Sequence, residues 1–253
     1  MTAYALPLTD TELPTDARPV RAALTALGRG DYHWLVVTSG NAVQALAMLS
    51  RDHALADLVR SGGARVAAVG SMTTRLLSEV GVEVHLTPEA ASSAGLLRGF
   101  PRGQGAVLLP QADLAPDDLR AGLEDRGWSV LRIEAYRTVA YPAEPDRRVP
   151  GVEEPGPRPP LIFPQGVADL ATTDVQPAIV FTAPSTVQQF HERLGAGPLA
   201  FLPVAIGPTT AAALRKKGWE PAATAEDPTP QGVARAVMAA FGHGTVTRLQ
   251  QHD

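Results

Sequence analysis

The chain contains no cysteine, which rules out a disulfide framework, a thiolate nucleophile and a thiolate zinc ribbon. A reducing compartment suits such a chain, and the cytoplasm is the expected location. Long apolar runs are also missing: nothing approaches the roughly 18 residues that a membrane span requires. The opening MTAYALPLTDTELPTD has neither a basic n-region nor an apolar h-region, so neither export nor a membrane partner is expected. Excess charge of one sign is absent, with 22 basic and 26 acidic residues and a net charge of -4. No whole-chain attraction toward nucleic acid follows from that balance. No G-x-G-x-x-G follows a strand-like run and no G-x-x-x-x-G-K-[ST] occurs, which excludes the usual dinucleotide and P-loop signatures. The histidines at 33, 53, 85, 191, 243 and 252 lack the spacing that puts two ligands on one helix face, so no metal site is expected. Neither Ser39 nor Ser185 stands in a G-x-S-x-G elbow, which removes the main support for nucleophilic hydrolysis.

What is present is alternation. Short apolar runs, WLVVT (34–38), RVAAV (65–69), VEVHL (82–86), AVLLP (106–110) and SVLRIEAY (129–136), are separated by Ala-, Leu- and Arg-rich stretches of helical period. This order predicts parallel sheets covered by helices on both faces. The proline-dense segment 142–160 interrupts it and reads as an exposed connection. Beyond it the alternation resumes with AIVFT (178–182), LPVAI (202–206) and WEPAAT (219–224). At 253 residues and 45% hydrophobic content, the chain suits two domains of about 120 residues each.

The second half repeats the first. A shift of 137 places Ala68, Gly70, Thr73, Leu77, Gly81, Glu83, Thr87, Glu89, Gly95 and Arg98 on identical residues at Ala205, Gly207, Thr210, Leu214, Gly218, Glu220, Thr224, Glu226, Gly232 and Arg235. A shift of 144 brings VVTSGNAVQAL onto VFTAPSTVQQF. An internal duplication explains both alignments. The first copy continues through AVLLP, a helix and SVLRIEAY, whereas the second ends after VMAAF. AYALPL (3–8) is expected to supply the counterpart of the strand near Leu131. The division expected is then 13–138 for a continuous first domain and 1–12 plus 142–253 for a discontinuous second one. The repeat also leads us to expect that the counterparts of AVLLP and its helix lie upstream of Met1, an N-terminal truncation or a misplaced start.

Four turns share one design: VTSGNAV (37–43), VGSMTT (69–74), FTAPSTV (181–187) and IGPTTA (206–211) each join a strand to a helix through small or hydroxyl residues. Free main-chain N–H groups and the positive helix end at such turns suit carboxylate or phosphate oxygens. The candidate binding residues are Thr38, Ser39, Asn41, Gly70, Thr73, Thr182, Pro184, Ser185, Gly207, Thr209 and Thr210. A plain helix-capping role is the alternative for the hydroxyl residues among them. Tyr136, at the end of a predicted strand, is either a proton donor facing a cleft or a packing residue with a polar tip.

The ordered set WLVVTSGNAV, AVGSMT, EAYRTV, VFTAPSTV, AIGPTTA and DPTPQGV resembles the uroporphyrinogen-III synthase family over about residues 4–241. That resemblance implies two flavodoxin-like domains with parallel, doubly wound sheets, joined by a two-stranded connection, with the active site between them. It implies a lyase that closes the linear tetrapyrrole hydroxymethylbilane into uroporphyrinogen III, losing water and inverting the last ring through a spiro intermediate. No cofactor is implied, and the expected state is a monomer. Tyr136 matches the family's strand-end tyrosine, the candidate general acid, and Thr73 and Thr210 match its threonine positions after glycine. Ala183 and the PQADLA stretch (110–115) depart from the family pattern, so no side-chain contacts transfer there. A two-domain binding or regulatory protein of the same fold, without catalysis, is the competing reading.

Overall fold

A computed structural model describes residues 2–50, 53–151, 159–163, 166–167, 176–194 and 200–249, the last seven as main chain. It divides into two units. The first comprises Asp10–Val139 and Ala143–Pro155, and the second Met1–Thr9, Ala140–Pro142 and Gly156–Asp253.

In the first unit the order is β1 (Thr9–Glu12), α1 (Arg18–Gly28), β2 (Trp34–Val37), α2 (Gly40–Leu49), α3 (Leu55–Gly62), β3 (Arg65–Ala68), α4 (Ser71–Glu79), α5 (Ser93–Gly99), β4 (Ala106–Ala112), α6 (Asp118–Glu124) and β5 (Ser129–Ala140). The sheet runs β1-β5-β4-β2-β3. β2 lies parallel to both β3 and β4, and β4 lies parallel to β5. Beyond β3 the run VEVHL contributes a single parallel bridge, Leu86 to Ala67, in place of a full strand. Because side chains alternate across a strand, β2 feeds two cores. Leu35 and Val37 join the helices of one face, while Trp34 and Val36 meet Leu96, Phe100, Leu119 and Leu123 on the other. Burial on both faces is why WLVV contains no polar residue. The Trp34 and Phe100 ring centroids lie 4.8 Å apart, and the Arg65 guanidinium sits 4.5 Å from the centre of the indole.

Local signals set the ends of the helices. Pro19 stands in the first turn of α1, where a missing N–H costs nothing. Val20, Ala23, Leu24 and Leu27, at i, i+3, i+4 and i+7, form its buried stripe. α3 stops at Gly63, whose φ of 68° is the left-handed C-cap conformation.

In the second unit β6 (Ala178–Phe181), α7 (Pro184–Leu194), β7 (Leu202–Ala205), α8 (Pro208–Lys216), β8 (Ala223–Thr224) and α9 (Pro230–Leu249) follow one another. The sheet order is β6-β7-β8, all parallel. Phe181, Phe190, Phe201 and Trp219 pack as an aromatic cluster, with Phe181 and Phe190 edge to face at 5.3 Å. Among the described residues no helix is long and apolar enough to cross a membrane.

The duplication is visible residue by residue. Adding 144 to β2 gives the bounds of β6, and adding 137 to β3 and α4 gives those of β7 and α8. The bridge Ala67↔Leu86 maps onto the pair Val204↔Ala223. Ser92 caps α5 by accepting from the Gly95 N–H at 3.0 Å, and its counterpart Thr229 accepts from the Gly232 N–H at 3.1 Å.

Two expectations need correction. AYALPL, expected as the second domain's counterpart of the strand near Leu131, is not a full strand: Ala5 makes an isolated parallel bridge to Leu161. Nor is the start of the proline-rich segment simply exposed. Ala143 and Val149 are buried, and Arg148 bridges antiparallel to Glu12. Arg147 pairs with the buried Glu12 and Arg148 with Asp10, because these acids need cations once taken from water. Residues 152–158 lie outside the described residues.

Candidate functional site

In each unit two of the four turns stand side by side, since β2 pairs with β3 and β6 with β7 in parallel. Parallel pairing puts both turns of a pair at the carboxyl ends of their strands, where open α/β sheets bind ligands.

In the first unit the sheet order reverses direction between β2 and β4, making this the topological switch point. Ser39 is the N-cap of α2, and its Oγ accepts from the Ala42 N–H at 3.2 Å. The same Oγ lies 2.9 Å from the hydroxyl of Tyr136, 97 residues later in the sequence. Tyr136 reaches it because β5 bulges opposite Gln111 and Ala112, placing Ala112 beside Tyr136. Tyr136 is 8% exposed, so its ring packs in the core while its oxygen is held at a helix N-terminus. The two sequence readings of this residue are therefore compatible. Asn41 turns away from the pair and donates to Thr11 Oγ1 at 3.2 Å. Thr38 is half-buried between β2 and the cap.

The second turn is shaped by Gly70. Its φ of 91° and ψ of 157° lie where only glycine is comfortable, and a Cβ there would approach the Ala91 side chain to 3.3 Å. The Gly70 carbonyl accepts from Thr74 Oγ1 at 3.1 Å. Thr73 is buried at 4% exposure and faces into the unit.

The second unit repeats the plan with different capping. Thr182, Pro184 and Ser185 are exposed at the start of α7. Thr186 closes this end, donating from Oγ1 to the Ala183 carbonyl at 2.7 Å and accepting from the Ala183 N–H at 3.3 Å. Gly207 is extended, with φ of -177°, Thr209 is exposed, and Thr210 is 1% exposed like its counterpart Thr73. Only Ser39 and Tyr136 among the candidate residues are joined directly to each other by a hydrogen bond between side chains.

Sequence reasoning passed over the carboxyl end of β4. Gln111 Oε1 and Asp113 Oδ1 are buried acceptors with no partner among the described residues, each a place where a donor is missing. Arg132 knits the following loop to β5, donating to Asp117 Oδ1 at 2.7 Å and to the carbonyls of Ala115 at 2.7 Å and Asp113 at 3.3 Å. Asp113 N–H in turn donates to the Tyr136 carbonyl at 3.2 Å. The legible signal was position: PQADLA forms the carboxyl end of the strand next to the switch point and the turn after it. Among the described residues no group of three or more His, Asp or Glu side chains is arranged to hold a metal ion.

The model of the family "Uroporphyrinogen-III synthase HemD" matches residues 1–235. A Methanothermobacter thermautotrophicus protein provisionally named uroporphyrinogen-III synthase is 31% identical over 222 residues, 84% of this chain and 79% of its own. Among solved structures, a mutant uroporphyrinogen III synthase from Thermus thermophilus aligns with a TM-score of 0.59 at 23% identity, covering 94% of this chain and 88% of that one. The uroporphyrinogen-III synthetase of Helicobacter pylori aligns with a TM-score of 0.58 at 17% identity, covering 92% and 90%. At such identities the structural likeness speaks for the two-domain α/β fold, while the family model and the archaeal relative speak for descent. The chain belongs to the uroporphyrinogen-III synthase family, whose enzymes cyclise hydroxymethylbilane.

Proposed function

We propose that this chain converts hydroxymethylbilane into uroporphyrinogen III, acting as a cytoplasmic monomer in tetrapyrrole biosynthesis. Family membership over most of the chain supports the reaction. The observation that carries the mechanism is the Ser39–Tyr136 pair at the switch point.

The Ser39 oxygen already accepts from the Ala42 N–H, which leaves its own proton free to donate to the Tyr136 oxygen. The phenol proton is then directed away from Ser39 and is available to the hydroxyl group leaving the bilane. Once it is transferred, Ser39 and the positive end of α2 stand beside the phenolate. Departure of water gives a delocalised azafulvenium cation. The substituted carbon of the terminal ring attacks that cation to form the spiro intermediate. Fragmentation and reclosure invert the ring, and loss of a proton restores aromaticity, so the net change is one water lost. The substrate is intrinsically reactive, and the protein's larger task is to hold it so that attack at the substituted carbon outruns direct closure. Main-chain donors at the turns of Thr38, Ser39, Asn41, Gly70 and Thr73, and at those of Thr182, Pro184, Ser185, Gly207, Thr209 and Thr210, suit its carboxylates. No cofactor takes part in these steps.

The test is the isomer formed from freshly generated hydroxymethylbilane, separated by chromatography after oxidation. Isomer III in excess is expected from the chain. Tyr136→Phe should slow its formation by about 10²- to 10⁴-fold, the usual range for loss of a general acid, with the fold retained. Isomer I at the spontaneous rate would overturn the catalytic reading, and full activity in Tyr136→Phe would overturn the role of the phenol.

A further inference from the structure

The two copies differ most at one edge of the second sheet. In the first unit β2 is enclosed by β3 on one side and β4 on the other, with Trp34 opposite Val107 and Leu35 opposite Leu108. Among the described residues its counterpart β6 pairs with β7 alone. The β6 residues that bond to β7 are the odd-numbered ones: Leu202 N–H donates to the Pro177 carbonyl at 2.9 Å and Ile206 N–H to that of Phe181 at 3.0 Å. Successive strand residues point their main-chain groups to opposite sides. Ala178 and Val180, the counterparts of Trp34 and Val36, therefore turn their N–H and C=O groups toward the open edge.

A groove of about 780 Å³ runs along that edge. One wall is β6 itself, and the other includes Tyr4, Ala5, Leu6 and Leu8, with Val237 and Phe241 of α9 also lining it. Ala178, Ile179 and Val180 are half-buried here, while all four residues of β2 are buried. In the first copy the corresponding space between β2 and β5 is filled by β4, whose residues 107–111 are all buried.

We propose that this groove is a strand-receiving site that takes one extended apolar polypeptide segment, lying parallel to β6 as β4 lies parallel to β2. The internal repeat specifies the occupant. It needs free main-chain groups in the frame of Ala178 and Val180, and small or branched apolar side chains of the Ala-Val-Leu-Leu type on both faces, since apolar clusters lie on each side of β6. A strand added to an open edge draws affinity from the main chain and selectivity from pockets for alternate side chains.

The probe is a synthetic peptide with the sequence of residues 105–112, Gly-Ala-Val-Leu-Leu-Pro-Gln-Ala, carrying terminal lysines for solubility and added to the full chain. Amide hydrogen exchange is read at Ala178 and Val180. Saturating peptide should slow exchange at these two amides by about tenfold or more, as new ladder bonds do, and leave Trp34 and Val36 unchanged. The same peptide N-methylated at alternate residues, in the frame facing β6, should have no effect. No protection by the unmodified peptide would overturn the proposal. Equal protection by the N-methylated peptide would also overturn it, marking the groove as an apolar ligand pocket. So would protection already complete in the chain alone, or protection that grows with chain concentration without peptide, which would indicate a second copy as the occupant. Because every arm uses the unaltered chain, a folding defect cannot imitate any of these results.

Discussion

β2 and β6 are the same strand written twice, and they live in different surroundings. WLVV is flanked by parallel strands on both sides and is fully buried. AIVF has one strand neighbour among the described residues and is half-exposed for three of its four residues. Both end in a turn at the start of a helix, and both hold their helix in the same way through apolar contacts. The strand–turn–helix pattern is therefore enough to build the parallel pair, but how deeply a strand is buried depends on which segments arrive beside it. The large Trp34 stands where packing on that face is complete, and its counterpart is the small Ala178 beside an open groove.

The largest expected effect comes from truncating the same position in each copy. Leu35→Ala removes a side chain with no exposure and should cost about 2–5 kcal/mol, whereas Ile179→Ala, half-buried at its counterpart, should cost about 1–2 kcal/mol because little cavity is left behind. Urea unfolding followed by probes specific to each unit would measure both. Equal costs would mean that β6 is as enclosed as β2.

Next in size is the glycine pair. Gly70 adopts a positive φ of 91°, while Gly207 is extended and has open space where a Cβ would stand. Gly70→Ala should destabilise the first unit by about 1–3 kcal/mol, and Gly207→Ala should leave stability within a few tenths of a kcal/mol, since only the former carries backbone strain. Matching losses in thermal unfolding of the two variants would show that the two turns are conformationally alike after all.

The smallest effect concerns the caps. Ser39→Ala removes the acceptor for the Ala42 N–H and should cost about 1 kcal/mol, while Ser185→Ala, exposed and outside the Thr186 cap, should be nearly neutral. Measured with hydroxymethylbilane, Ser39→Ala should also slow formation of isomer III, because Tyr136 loses its partner. Retained rate with lowered stability would make Ser39 a cap and nothing more.

Much of this was legible beforehand for a physical reason. Strand runs such as WLVV and AIVF, and a helix start such as Ser39, are set by local periodicity and capping chemistry, and the repeat showed the strand–turn–helix pattern twice. The turns that carry Gly70 and Gly207 were legible too, since glycine between a strand and a helix marks a turn, but only at Gly70 does the backbone require it. The capping partners were less so: Thr182 and Ser185 were the capping alternatives at this turn, but Thr186 closes the helix end because its hydroxyl can reach both main-chain groups of Ala183. VEVHL and AYALPL have the composition of strands and make only single bridges, because pairing requires a neighbour in register as well as propensity.

The α/β alternation, the duplication and the chemical character of the four turns all follow from the order of neighbouring residues, and the amino-acid sequence alone was enough to establish them. Three other outcomes were settled by packing: Ser39 meets Tyr136 across 97 residues, and, among the described residues, Gln111 Oε1 and Asp113 Oδ1 are buried without donors and β6 keeps an open edge. They depend on a bulge in β5 and on which strands pack side by side, contacts between residues far apart in the chain that no local pattern encodes.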